Sequence, residues 1–291
     1  MQTLALVGAA GKMGTRLAQR LQESSDYRVL PVEAGEAGAA KLRARGDEPV
    51  APEQALPQAD IVVLAVPDTL IGAVATDVVS RLRPGAMVVC LDPAAPYAGK
   101  LPARDDVTYF VTHPAHPPVF KDEDDPEARR DFFGAGKARQ AIVNALMQGP
   151  DEDYARGEAL AHVIWGPVLR SHRVTVEQMA YLEPVLSETV AQTCVVIMRE
   201  AVDEAVRRGV PAEAARDFVL GHVGIQLAIF FDEIDWQISD GAKLVLRVAK
   251  DQIIRPDWMR VFEPEMVKES CQQIVGDVPV PAAASGAAAA A

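Results

Sequence analysis

Two short runs, DIVVLAVP at residues 60–67 and AMVVCLDP at 86–93, are apolar at almost every position. A strand buried on one face alternates apolar with polar, so a run without alternation must be covered on both faces, as in a parallel sheet flanked by helices. TLALVG (3–8), YRVLPVE (27–33) and VTYFVTHP (107–114) share this β-rich character. Helical patterns, KMGTRLAQRLQES (12–24) and TLIGAVATDVVSRL (69–82), lie between them. This alternation predicts an α/β fold whose N-terminal domain is a doubly wound parallel sheet.

The acidic stretch KDEDDPEARRD (121–131) reads as a solvated connection. After it QAIVNALMQ (140–148), a helix over about 151–165 and HRVTVEQM (172–179) read as one more strand–helix–strand unit of the same sheet. From Glu177 the sequence is helix-forming for about 30 residues, well beyond the average globular helix. Pro184 within it must kink the helix or mark the start of its long part. Gly209 closes it and Pro211 opens another helix. The expected organisation is a dinucleotide-binding domain over 1–176, a smaller all-helical substrate and dimerisation domain over 177–278, and a low-complexity, disordered tail over 279–291. The helical domain is more apolar than so small a unit needs, which predicts a homodimer interface.

The chain carries 41 acidic against 29 basic residues, a net charge of −12. That balance argues against nucleic acid and against an anionic membrane surface as partners. No apolar run is long enough to span a membrane, and no basic and apolar leader opens the chain, so a cytoplasmic protein is expected. Cys90, Cys194 and Cys271 lack metal-ligand spacing and read as reduced thiols.

The first strand runs into ALVGAAGKMG, which places Gly8, Gly11 and Gly14 three apart where strand gives way to helix. Free N–H groups at a helix start attract anions, and glycine admits a pyrophosphate to the backbone, so this is the phosphate turn of a Rossmann fold. Ala10, Lys12 and Met13 complete it. Glu33 closes the next strand, where a carboxylate binds ribose hydroxyls and repels a 2′-phosphate; NAD is therefore expected over NADP. Val66 and Pro67, at the end of another strand, are candidates to line the nicotinamide ribose. Asp92 is either a helix cap or a ligand-facing group.

VTHPAHPPVF (111–120) sets His113 and His116 at the end of a further strand, stiffened by three prolines. Oxidation of a secondary alcohol requires a group to handle the hydroxyl proton, and imidazole suits that task near neutral pH. His113, directly off the strand, is the expected catalytic or polarising residue, with His116 beside the substrate.

With its glycine turn ending in Met13-Gly14 and its helical second half, the chain resembles the superfamily of 6-phosphogluconate, 3-hydroxyisobutyrate and prephenate dehydrogenases. HPAHP is similar to the His-Pro segment of prephenate dehydrogenases, whose histidine contacts the reacting hydroxyl; His113 falls on it. EAVDEAVRRGV (200–210) resembles the end of the long helix of hydroxyacid dehydrogenases, whose catalytic lysine and nearby asparagine would then fall on Pro184 and Glu188. The lysine is absent. The resemblance thus shifts acid–base work to His113, with Glu188 as its partner and Gln192, four residues on, facing the substrate. ISDGAKLVLRVAKDQIIRPDWMRVFEPE (238–265) is similar to the subgroup with a phosphogluconate-dehydrogenase-type C-terminal domain, in which NAD-linked oxidation of a branched sugar acid is coupled to a skeletal shift. That shift is similar to the ketol-acid reductoisomerase reaction and implies a divalent metal if folding brings His113, His116 and Glu188 together. The expected activity is NAD-dependent oxidation of a small polyhydroxy acid. The alternatives are an NADP-linked reductase of a keto acid or imine, and a non-catalytic NAD-sensing protein.

Overall fold

A computed structural model of the chain describes residues 1–279. The tail expected at 279–291 lies, beyond Pro279, outside the described residues. Five strands, β1 (Gln2–Val7), β2 (Tyr27–Val32), β3 (Ile61–Leu64), β4 (Met87–Cys90) and β5 (Thr108–Pro114), run parallel. They are linked by α1 (Lys12–Gln22), α2 (Glu36–Arg45), α3 (Pro52–Ala55), α4 (Asp68–Ser80) and α5 (Ala94–Tyr97). Every residue of β3 and β4 is buried, as unbroken apolar runs require. Leu17, Ala18 and Leu21 of α1 join them in one core.

The chain continues through α6 (Pro126–Arg130), β6 (Gln140–Gln148), α7 (Asp153–Ile164) and β7 (Val168–Arg173), giving a seven-stranded sheet of order β2-β1-β3-β4-β5-β6-β7. The sheet is not parallel throughout: β6 runs antiparallel to β5, and β7 parallel to β6. Between β5 and β6 only the five-residue α6 forms, too short for the crossover a parallel return needs. The acidic connection therefore contains one helical turn. β7 also ends sooner than HRVTVEQM suggests, because Thr175 and Gln178 form a reciprocal capping box that opens α8 (Val176–Ala180).

The long helix is in three parts. After α8 comes a π-helical stretch, Tyr181–Ala191, and then α9 (Gln192–Arg207). Pro184 has no N–H to donate, so the α ladder cannot continue through it, and the chain takes a wider turn. Thr189 Oγ1 donates to the Pro184 carbonyl at 2.7 Å within that turn. α10 (Ala212–Phe230), α11 (Asp240–Ile253) and α12 (Pro264–Ile274) follow.

Two compact units result, Met1–Glu183 together with Lys268 onward, and Pro184–Val267. The division falls seven residues later than the expected 176/177 boundary, and the C-terminal segment returns to the first unit. The second unit has an unusual surface. No residue of α9, α10 or α11 is buried, and Phe218, Trp236 and Leu244 are 69%, 71% and 59% exposed. Among the described residues no helix is long and apolar enough to cross a membrane.

Candidate active site

Parallel strands put their carboxyl ends on one edge of the sheet, where ligands of such folds bind. Gly8 follows β1 with φ +83°, and a Cβ there would run into the carbonyl of Ala65 at the end of β3. A Cβ on Gly14 would meet the Gly8 carbonyl and the Ala9 backbone. The two glycines let loop, helix and neighbouring strand close on one another. Gly11 caps α1 without a side-chain bond, so the helix start presents its own N–H groups. This cradle fits a pyrophosphate. The Glu33 carboxylate accepts a hydrogen bond from Ala10 N and lies so close to Gly38 that a Cβ there would strike it. Met13 turns toward the core, Lys12 lies exposed, Val66 is half-buried, and Pro67 caps α4.

Cys90 of β4 pairs with Val111 of β5, so the residues just beyond, Asp92 and His113, come level at the same edge. His113 Nδ1 lies 2.8 Å from the Leu91 carbonyl, which fixes the neutral ring with Nδ1 as donor and leaves Nε2 with its lone pair. Nε2 is 3.5 Å from Glu183 Oε1, and Nδ1 is 3.8 Å from Asp92 Oδ2. The other Asp92 oxygen accepts from Ala94 N at 2.7 Å, so this carboxylate both caps α5 and faces the histidine. Asp92 thus serves the start of α5, as the first of its two expected readings requires.

The electrostatics follow from burial and crowding. Burial pushes the Asp92 carboxyl up to about 6, with the backbone bond from Ala94 and the His113 charge opposing it. Asp68, at the start of α4, is likewise raised, chiefly by burial. Burial pulls the His113 imidazole down. The hydrogen bond and charge of Glu183, then Asp92 and the Leu91 carbonyl, outweigh that and leave it above its ordinary value. Burial also lifts the Cys90 thiol to about 12, which makes it an inert core group.

His116, Glu188 and Gln192 are placed as follows. His116 takes a left-handed backbone (φ +59°), with Nδ1 3.0 Å from the Phe133 carbonyl and its ring against that phenyl, so it is engaged by its own loop. Glu188, on the π-helical stretch, and Gln192, opening α9, are exposed residues of the second unit. The grouping that the fold does bring together is Asp92, His113 and Glu183, one ligand atom of each within 4.8 Å of the others. It shares His113 with the expected grouping of His113, His116 and Glu188. Glu183 had no sequence signal beyond its place before Pro184, which widens the turn that carries it.

A glycine cradle with an acidic ribose anchor, and an imidazole at the carboxyl edge of the same sheet, define a Rossmann-fold oxidoreductase. Residues 121–275 match the family model for the phosphogluconate dehydrogenase (decarboxylating) C-terminal domain, and residues 3–94 that of coenzyme F420-dependent NADP oxidoreductases. D-apionate oxidoisomerase of Cupriavidus necator is 54% identical over 94% of this chain and 99% of its own. D-apionate oxidoisomerase of Rhizobium rhizogenes is 54% identical over 94% of this chain and 100% of its own. The crystal structure of a semialdehyde dehydrogenase NAD-binding protein from Cupriavidus necator, in complex with calcium and NAD, superposes with a TM-score of 0.91 at 54% identity. It covers 94% of this chain and 99% of that one. The chain belongs to the phosphogluconate-dehydrogenase-type family that contains these D-apionate oxidoisomerases.

Proposed function

We propose that the protein is an NAD-dependent oxidoisomerase of a branched sugar acid of the D-apionate type. The observation that carries this reading is the fixed imidazole of His113 at the carboxyl edge of the sheet, beside two carboxylates. The 54% identity to D-apionate oxidoisomerases supports the substrate class. NAD is supported by the relative's complex and by Glu33, whose carboxylate repels a 2′-phosphate; this disfavours the NADP-linked alternative.

Oxidation of a secondary alcohol removes hydride from carbon and a proton from oxygen. NAD, when bound, accepts the hydride. Gly8, Gly11 and Gly14 admit its pyrophosphate, and Glu33 holds the ribose. His113 manages the charge at the reacting oxygen through Nε2, the nitrogen that Leu91 leaves free. Glu188 and Gln192 remain candidates for substrate contact. A cytoplasmic setting suits such a catabolic step. We further propose a homodimer, since α9, α10 and α11 bury no residue in the single chain.

The test is NADH formation at 340 nm with NAD and D-apionate, followed by identification of the product. Turnover to a rearranged oxo acid is expected, and His113→Ala should lower it by roughly 10²-fold or more. Tight NAD binding with no oxidation of D-apionate or related acids would support the sensing alternative instead.

A further inference from the structure

Asp68, Asp92 and Glu183 crowd around one imidazole. The charge of His113 acts on both Asp68 and Asp92. The atoms left uncommitted point the same way. Nδ1 of His113 is spent on Leu91, and one Asp92 oxygen on Ala94. The remaining Asp92 oxygen, Nε2 and the Glu183 carboxylate are acceptors. Nε2 of a neutral ring and Glu183 Oε1 face each other at 3.5 Å, so that a proton or a metal ion must stand between them. One ligand atom from each of the three residues lies within 4.8 Å of the others. Atoms that bind a divalent ion at about 2.0–2.6 Å stand no more than about 4–5 Å apart.

We propose that Asp92, His113 and Glu183 are the protein ligands of a divalent cation. Two carboxylates neutralise its charge, and the imidazole favours a borderline ion such as Mn²⁺ or Zn²⁺. Three protein ligands leave positions open for a hydroxyl and a neighbouring oxygen of the substrate. A cation there makes that hydroxyl more acidic and polarises the carbonyl formed from it. His113 then manages the oxygen's charge as a ligand rather than as a free base. The part played toward the substrate rests on the oxidoisomerase reading above; the cation site does not.

The full-length protein, freed of metal by chelation, would be titrated with MnCl₂, with free Mn²⁺ read by its paramagnetic resonance signal, with and without NAD. One saturable site per chain is expected. Asp92→Asn and Glu183→Gln should each weaken it by at least the roughly tenfold that loss of even an outer partner costs. Thermal midpoint and NAD binding, measured alongside, should stay near wild type. Absence of saturable Mn²⁺ binding, or binding that both variants retain in full, would overturn the site. Mn²⁺ binding without oxidation of any sugar acid would leave the cation site standing and defeat the functional reading. Undiminished D-apionate turnover by metal-free protein in excess chelator would overturn the part proposed for the cation toward the substrate and leave the functional reading standing.

Discussion

Gly14 shows how much one hydrogen atom can decide. It sits in the first turn of α1, where alanine is ordinarily the better helix former. Here a methyl would press on the Gly8 carbonyl and the Ala9 backbone, neither of which can rotate away. Gly14→Ala should therefore destabilise the fold by about 1–3 kcal/mol, the usual cost of overpacking. It should also weaken NAD binding by about tenfold, the equivalent of a 1.4 kcal/mol displacement of the cradle. Urea denaturation and a cofactor fluorescence titration check both; an unchanged NAD affinity would mean that the cradle does not hold the pyrophosphate. Glycine spacing and Glu33 were legible because strand, turn and helix follow one another along the chain. Glu183 was not, since its approach to His113 depends on a turn far away in sequence.

The connection between β5 and β6 looks like solvated charge, yet one carboxylate organises its second half. Asp131 accepts from Gly134 N and Gly136 N at 2.8 Å each, and more distantly from Ala138 N at 3.4 Å. Burial raises its pKa, but these backbone N–H groups outweigh burial and hold it below the ordinary carboxylate value. Its contribution is therefore present above the unfolded pKa and is lost as pH falls through the lower native one. Asp131→Asn should cost about 1.5–3 kcal/mol near neutral pH, as expected for hydrogen bonds to a charged group. In urea titrations the gap between variant and wild type should close in acid; a gap that stays constant with pH would show that the charge is not what matters. The same loop supplies the Phe133 carbonyl that engages His116, while Arg16 grips the adjoining Gly134 carbonyl at 2.7 Å. Neither partner could be read from HPAHP.

For the molecule as a whole, the open question is what covers the helices of the second unit. Large apolar side chains such as Phe218 and Leu244 face water in the single chain, beyond what monomeric soluble proteins usually leave bare. In the proposed homodimer a second copy would supply the cover. Sedimentation at micromolar concentration should give a dimer, and Leu244→Glu or Phe218→Glu should shift it toward single chains. A wild-type monomer under those conditions would contradict the assignment.

Apolar runs without alternation already dictated a sheet covered on both faces, and the glycines at the end of its first strand dictated what kind of ligand could approach. Those are local consequences of burial, backbone sterics and period, and they survive whatever the rest of the chain does. The reversal of β6, the partners of His113 and the engagement of His116 by Phe133 were settled by packing between segments apart in sequence. Asp92 and His113 meet because β4 and β5 share a register, and Glu183 joins them because Pro184 cannot donate to an α ladder. Sequence separation hides such meetings, since the free energy that enforces them comes from contacts formed only when the sheet and its helices close.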